Sequence, residues 1–216
     1  IFLLVPNTIL AQSAEKLPPI KMKEYKLDNG LRVIFHQDSS TPVVAVNVWY
    51  HVGSKNEAAG KTGFAHLFEH MMFQGSRNYD TDYFTPLQEA GGNINGTTNQ
   101  DRTYYYETVP SNFLELALYL EADRMGGLLE AMTQEKLDNQ RDVVKNERRQ
   151  RVDNQPYGTA FEKIGEIMFP KGHPYNWTTI GSLEDLQAAS MDDVKSFFRQ
   201  YYTPNNAVLV LSGDFD

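Results

Sequence analysis

The chain has 216 residues, 41% of them hydrophobic, which is enough to build a sizeable core in one large domain or two small ones. Its net charge is −8 and no block of Lys and Arg offers a track for phosphates, which argues against nucleic acid as a partner. The absence of cysteine excludes disulfides, thiolate ligands and thiol nucleophiles, and no apolar run reaches the roughly 18 residues that a membrane span needs.

The first twenty residues differ in composition from the rest. "IFLLVPNTIL" is apolar, and small and polar residues follow it up to "KLPPI". This pattern is typical of the end of a secretory signal peptide, and predicts a leader over 1–20 of an exported protein, in the bacterial periplasm or at the cell surface. The alternative is a buried N-terminal strand. The domain itself is predicted to cover 21–216.

Strand patterns come first along that domain. "YKLDNGLRVIFHQD" (25–38) has Asp-Asn-Gly between two alternating runs, which predicts a hairpin. "TPVVAVNVWYHVG" (41–53) is mainly apolar on both faces and predicts a central strand. Residues 93–109 indicate further, more polar strands, and "NAVLVLSGDF" (206–215) predicts a closing one.

Helical patterns occupy most of the intervening chain. They begin near Gly63, at Tyr83, after Ser111 as a cap, after Thr133 as a cap (to about Val152), at Thr159 and after the capping box of Ser190. Hairpins followed by clustered helices and one last strand predict an α+β fold. We expect a mostly antiparallel mixed sheet with helices on one face.

The helix in "TGFAHLFEHMMFQG" (62–75) carries polar residues in an otherwise apolar sequence. His66 and His70 are four residues apart and share one face, and Glu69 falls on the same side. Two imidazoles and a carboxylate on one face suit a zinc ion with a water beside a general base, the inverted H-x-x-E-H pattern. The alternative is a set of core residues satisfied by other protein groups, but burying three polar side chains for structure alone is costly.

A catalytic zinc needs a third protein ligand. In the helix after Thr133, Glu147 continues the apolar stripe through Gln140 and is therefore the preferred candidate. Spacing alone leaves Glu107 and Glu121 open. The densest basic stretch, "NERRQR" (146–151), is interpreted as an outer helix face rather than a binding patch.

The pattern H-x-x-E-H, followed after residues 71–146 by Glu147, resembles the pitrilysin family of metallopeptidases. That family includes insulin-degrading enzyme and the mitochondrial processing peptidase. The likeness extends from "LDNGLRVIFHQD" to the last strand. Its supporting motifs are "GGNINGTTNQDRTYYYETVP", "LEADRM", "VVKNERRQR" and "HPYNWTTIGSLEDL".

The resemblance implies a zinc-dependent endopeptidase that hydrolyses peptides or small unfolded proteins. One Zn²⁺ per domain would be held by His66, His70 and Glu147, with Glu69 activating the water. The peptide would add as a strand along Asn95, Gly96 and Thr97, where glycine replaces the family's usual alanine; an ordinary hairpin strand is the alternative for this stretch. Gln140 stands where well-known members carry a second glutamate, and is expected to lie behind the ligands without binding metal. His36, His51 and His173 are interpreted as structural.

The resemblance also implies a partner. Family members enclose substrate between two halves of similar fold, and this sequence contains one copy. We therefore expect an N-terminal zinc-binding domain that needs a C-terminal homologous half or a partner subunit, and that self-associates through the uncovered face. The alternative function is a non-catalytic or weakly active subunit of the same fold. A lyase that also uses H-x-x-E-H needs a cysteine ligand, which this chain lacks.

Overall fold

The computed structural model describes residues 19–216, so the leader predicted over 1–20 lies almost entirely outside the described residues. The strands are β1 Lys23–Lys26, β2 Arg32–Gln37, β3 Val43–Tyr50, β4 Asn93–Thr98, β5 Thr103–Pro110 and β6 Ala207–Gly213. The α-helices are α1 Phe64–Met71, α2 Phe84–Glu89, α3 Leu114–Ala131, α4 Gln134–Arg148, α5 Ala160–Met168, α6 Leu183–Ala188 and α7 Met191–Tyr201. A π-helical turn, Arg149–Asp153, continues α4.

The strands form one mixed sheet in the order β1-β2-β6-β3-β5-β4. Only β2 and β6 run parallel; every other neighbouring pair is antiparallel. The prediction of an α+β fold with a mostly antiparallel mixed sheet is confirmed. So is the central position of β3, which pairs with β5 on one side and β6 on the other.

The helices cover one face of this sheet. On β3, Val44, Val46, Val48 and Tyr50 alternate with more exposed residues and are almost completely buried. The opposite face of β3 carries Trp49, which is 41% exposed. The strand is therefore central in its hydrogen bonding, but within residues 19–216 only one of its two apolar faces is packed against helices.

The predicted helix ends are mostly as the sequence indicates. The Thr133 hydroxyl accepts from the Lys136 backbone N–H, and Ser190 and Asp193 form a capping box. Gly91, with φ +82°, follows the end of α2. The cap predicted at Ser111 is wrong. Ser111 lies inside a 3₁₀ turn before α3, so its backbone is already helical and its side chain makes no capping hydrogen bond.

A cluster of buried polar side chains lies where α3 packs against the sheet. Arg124 is fully buried and pairs with Glu121, donating from Nε to Oε2 at 2.9 Å. Its guanidinium lies over the rings of Tyr83 and Tyr105, at 4.2 and 4.4 Å from their centroids. Glu107 lies beside this pair, and neither of its carboxyl oxygens has a hydrogen-bond partner within residues 19–216. Burial and the neighbouring Glu121 carboxylate raise the pKa of Glu107 well above its usual range.

Glu107→Gln is expected to stabilise the protein increasingly as pH rises. A carboxyl group whose pKa is raised by folding contributes stability that is complete below its unfolded pKa of about 4.3 and is lost as pH rises toward the folded value. The permanently neutral glutamine avoids that loss. In urea denaturation, the free energy of unfolding of the variant should exceed that of wild type by more than about 1 kcal/mol at pH 8, and by less at pH 5.

The matched control is Glu115→Gln, at an exposed position of α3. It should leave the pH dependence of stability as in wild type. If the difference between Glu107→Gln and wild type were the same at pH 5 and pH 8, Glu107 would not titrate differently in the folded and unfolded states, and the expectation would be wrong.

Candidate metal centre

Packing of the apolar sides of α1 fixes the positions of its two histidines. Phe64, Leu67, Phe68 and Met71 have almost no exposed surface, so the rotation of the helix about its axis is fixed by packing. His66 and His70 then project together from one side, with ring centroids 4.8 Å apart.

The third candidate ligand comes from the end of α4. Glu147 Oε2 lies 3.3 Å from His70 Nε2 and 3.7 Å from His66 Nε2. One donor atom from each of these three residues lies within 4.8 Å of the other two. The structure thus brings together the three residues that the sequence singled out. The alternatives Glu107 and Glu121 belong to the buried cluster around Arg124 instead.

The electrostatics of this group suit a divalent cation. Burial, reinforced by the neighbouring His70, lowers the pKa of His66 to about 4, so its imidazole is neutral at physiological pH and offers a lone pair. The hydrogen bond from His70 lowers the pKa of Glu147, which keeps that group a carboxylate. Two imidazoles and one carboxylate form a donor set that zinc prefers.

Glu69 lies next to this group and is held by a hydroxyl. Its Oε2 accepts a hydrogen bond from Thr98 Oγ1 on β4, and Thr98 Oγ1 lies 3.2 Å from Thr103 Oγ1. Burial raises the pKa of Glu69, while the hydrogen bond from Thr98 acts in the opposite direction. A carboxylate fixed beside the candidate ligands, with a raised pKa, is suited to accept a proton near neutral pH.

These side chains line a cavity of about 660 Å³. One wall is the strand β4, which is an edge strand of the sheet and carries Asn95, Gly96 and Thr97. Gly96 lets this strand approach α1, because a Cβ atom there would lie 3.1 Å from Glu69 Cγ and from two ring carbons of Phe73. Gln140 is buried on α4 and lines the same cavity.

Sequence reasoning missed the group that holds the start of α1. Glu57 Oε1 accepts from the Ala65 backbone N–H at 2.8 Å, and its Oε2 accepts from Gly63 N–H and from Trp177 Nε1 at 3.1 and 3.0 Å. Burial raises the pKa of Glu57 to about 8, and these three N–H donors oppose the rise by stabilising the carboxylate. Since α1 begins at Phe64, Glu57 satisfies N–H groups that the helix itself cannot.

Glu57→Ala is expected to lower the free energy of unfolding by about 3 kcal/mol, because the Gly63 and Ala65 N–H groups lose their acceptor and Trp177 Nε1 keeps only the Ser54 carbonyl. Trp177→Phe removes one hydrogen bond to Glu57 and the one to the Ser54 carbonyl but leaves both backbone N–H groups of α1 capped, and should cost about 1 kcal/mol. Urea denaturation of both variants gives the comparison. Equal costs for the two variants, or no cost for Glu57→Ala, would show that Glu57 does not hold the start of α1.

Comparison with known families agrees with this arrangement. The family model described as "Insulinase (Peptidase family M16)" matches residues 32–179, which include His66, Glu69, His70 and Glu147. A second model, described as the M16 inactive domain, matches residues 188–216. The chain belongs to peptidase family M16. Insulinase and pitrilysin are names for the same family, so the resemblance stated from the motifs is confirmed.

Similarity to individual proteins agrees with the family assignment and with the fold. The chain is 36% identical over 196 residues to the zinc protease PqqE of Helicobacter pylori, covering 90% of this chain and 44% of that protein. The crystal structure of a protease from the same organism superimposes with a TM-score of 0.86 at 35% identity, over 91% of this chain and 47% of that one. The first half of the periplasmic protease PqqL from Escherichia coli, 22% identical, shares the fold with a TM-score of 0.80, over 91% and 43% of the two chains.

The chain spans less than half the length of PqqE and of the next two curated relatives it matches. Among residues 19–216, no helix combines the length and the apolar character needed to cross a membrane.

Proposed function

We propose that this chain provides the metal-binding and water-activating part of a zinc-dependent endopeptidase that acts on peptides or small unfolded proteins. The observation that carries the proposal is the convergence of His66, His70 and Glu147 at one point of a cavity, with Glu69 fixed beside them. Several of its M16 relatives, PqqE among them, are named as zinc proteases, which supports zinc as the metal.

The roles of the side chains follow from their chemistry. His66, His70 and Glu147 would hold one Zn²⁺. Zinc supplies a Lewis acid that polarises the scissile carbonyl and makes water more acidic. Glu69 then takes the proton from the attacking water as its oxygen adds to the carbonyl carbon, and passes that proton to the amine nitrogen as the C–N bond breaks. The hydrogen bond from Thr98 keeps the Glu69 carboxylate oriented for both transfers.

The substrate is proposed to extend the sheet at β4. One side of the β4 backbone pairs with β5. The other side is the unpaired edge of the sheet, which borders the cavity. An extended peptide along Asn95, Gly96 and Thr97 would complete main-chain hydrogen bonds and bring a carbonyl toward the metal site. Gly96 supports this role because it adds no side chain between the strand and Glu69.

Gln140 is proposed to tune the site without binding the metal. It is buried on α4, two turns before Glu147, and borders the cavity. Its neutral amide can hydrogen-bond but cannot supply charge to the metal or accept a proton at neutral pH, as the glutamate of well-known members can.

The rest of the longer protein is proposed to complete the cleft. The M16 relative PqqE is more than twice as long as the segment that matches this chain. One similar solved structure is that of the first half of PqqL alone. The helix α5 exposes Phe161 and Ile167, 83% and 84% accessible, an apolar surface that suits contact with a homologous half, a partner subunit or a second copy. Export to the periplasm is proposed from the leader-like residues 1–20 and from the periplasmic location given for PqqL.

The test uses the full-length protein. Metal analysis should find one zinc per chain, and a panel of unstructured peptides should be cleaved until a chelator is added and again after zinc is restored. Zinc binding without cleavage of any peptide would favour the non-catalytic subunit. A purified protein without stoichiometric zinc would overturn the proposal.

A further inference from the structure

One basic side chain lies at the mouth of the candidate site. The stretch 146–151 is interpreted from sequence as an outer helix face, and Arg149 fits that interpretation, since it is exposed and its one side-chain hydrogen bond within residues 19–216 goes to Asn146 Oδ1. Arg151 differs. It comes four residues after Glu147, which places both side chains on one face, and its guanidinium lines the same cavity.

Arg151 is bound at one point and otherwise open. Its Nη1 lies 2.6 Å from Glu147 Oε1, the carboxylate oxygen that is not the one nearest the histidines. The Arg151 side chain is 75% exposed, and Glu147 is its only ion-pair partner within residues 19–216. A guanidinium has five N–H donors in a plane, so most of them remain available to a ligand in the cavity.

This contact has little structural value. An ion pair with so exposed a partner contributes little to stability. The structural anchoring at this helix end is done by Arg148, which donates to the Gly181 carbonyl at 2.7 Å and to Glu162 Oε1 at 2.5 Å. Arg151 is therefore free for another role.

The charge balance of the cavity points to an anion. Among the described residues that line it, Arg151 is the only lysine or arginine, and Glu69 and Glu147 are the only acids. Gln140, where well-known members have glutamate, contributes no charge. A bound dication would balance both carboxylates, so apart from its exposed ion pair with Glu147 the charge of Arg151 is not neutralised by any other acid that lines the cavity.

We propose that Arg151 selects peptides with an aspartate or glutamate next to the scissile bond. This rests on the proposed function and specifies its substrate class. The planar guanidinium matches a carboxylate in a two-pronged hydrogen-bonding geometry. Arg151 lines the same cavity as Asn95, Gly96 and Thr97 of β4, so a side chain of a peptide lying along β4 would meet it there.

The experiment uses the full-length enzyme and matched peptides that differ only in the residue on one or the other side of the scissile bond: Glu, Gln or Lys. In wild type, kcat/KM for the Glu peptide should exceed that for the Gln peptide by about fivefold at low salt. Arg151→Gln should make the two equal, and Arg151→Glu should favour the Lys peptide. Arg149→Gln, two residues before Arg151 and outside the cavity, should keep the wild-type ratio.

A second measurement separates selectivity from a positioning effect on Glu147. Zinc content and fluorescence anisotropy of the same labelled peptides are measured with Glu69→Gln alone and combined with Arg151→Gln. Tighter binding of the Glu peptide only where Arg151 is present supports the proposal. A uniform loss for all peptides, or a loss of zinc, assigns Arg151 to positioning and overturns it.

These experiments distinguish failure of the proposed peptidase function from failure of the proposed selectivity of Arg151. If no peptide is cleaved by any variant, the proposed function fails, while the anisotropy comparison still decides whether Arg151 recognises acidic peptides. If wild type cleaves the Glu and Gln peptides equally well, or if Arg151→Gln retains the preference, the selectivity of Arg151 is disproved and the peptidase function stands.

Discussion

Glu69→Gln in the full-length protein is expected to lower kcat by at least about 100-fold while zinc stays bound at one per chain. The amide has nearly the size of the carboxylate and its oxygen can still accept the hydrogen bond from Thr98, so β4 and α1 should keep their spacing. What the amide cannot do is take a proton from water. The loss should therefore fall on kcat rather than on KM.

The comparison needs a neutralised acid outside the site. Glu89→Gln, at an exposed position of α2, removes the same charge and should retain wild-type kcat. Thr98→Val keeps Glu69 but removes its hydrogen-bond donor, and should give a smaller loss than Glu69→Gln. A normal cleavage rate in Glu69→Gln would show that Glu69 has a structural role and does not transfer the proton.

The local parts of this fold are readable from the sequence because they depend on short spacings. The hairpin turn at Asp28-Asn29-Gly30, the capping box at Ser190 and the shared face of His66 and His70 all follow from residues a few positions apart. The preference for Glu147 as the third ligand has the same origin, since the apolar stripe of α4 fixes which side of the helix faces inward.

The long-range parts are not contained in such spacings. The parallel pairing of β2 with β6 joins segments from opposite ends of the domain, and neither strand's pattern identifies its partner. The carboxylate of Glu57 that caps α1 also accepts from Trp177, over a hundred residues later, a contact that no short spacing indicates. Spacing alone left Glu107 open as a metal ligand; only the packed structure places it beside Arg124 and Glu121.

Two residues of the site that were not predicted, Arg151 and Thr98, could have been found from their spacing in the sequence. Arg151 follows Glu147 by four residues, the same spacing that identified the two histidines, but a cluster of basic residues on a polar helix end is usually solvated. Thr98 follows Gly96 by two residues on a strand and so points to the same side, toward Glu69. In both cases the spacing predicts which side of the helix or strand the side chain occupies. Only the structure shows which neighbouring residue it contacts.

His70→Ala is expected to weaken zinc binding by more than about 100-fold, because even partners that only orient zinc ligands are worth 10- to 100-fold and His70 is proposed to bind the metal itself. The variant also leaves Glu147 without the hydrogen bond that lowers its pKa. Metal analysis after dialysis, with competition against a chelator of known affinity, gives the dissociation constants of wild type and variant.

Thermal stability gives an independent reading of the same prediction. Zinc that binds the folded state alone raises its stability as RT ln(1 + [zinc]/Kd), so wild type should lose several degrees of Tm when a chelator removes the metal. His70→Ala should show almost no such shift. His173→Ala is the matched control: this histidine stacks on Phe169 in the loop after α5, away from the cavity, and its replacement should leave both zinc content and the chelator-induced shift as in wild type. If His70→Ala kept stoichiometric zinc and the full shift, the metal would lie elsewhere, and the assignment of His66, His70 and Glu147 as its ligands would be wrong.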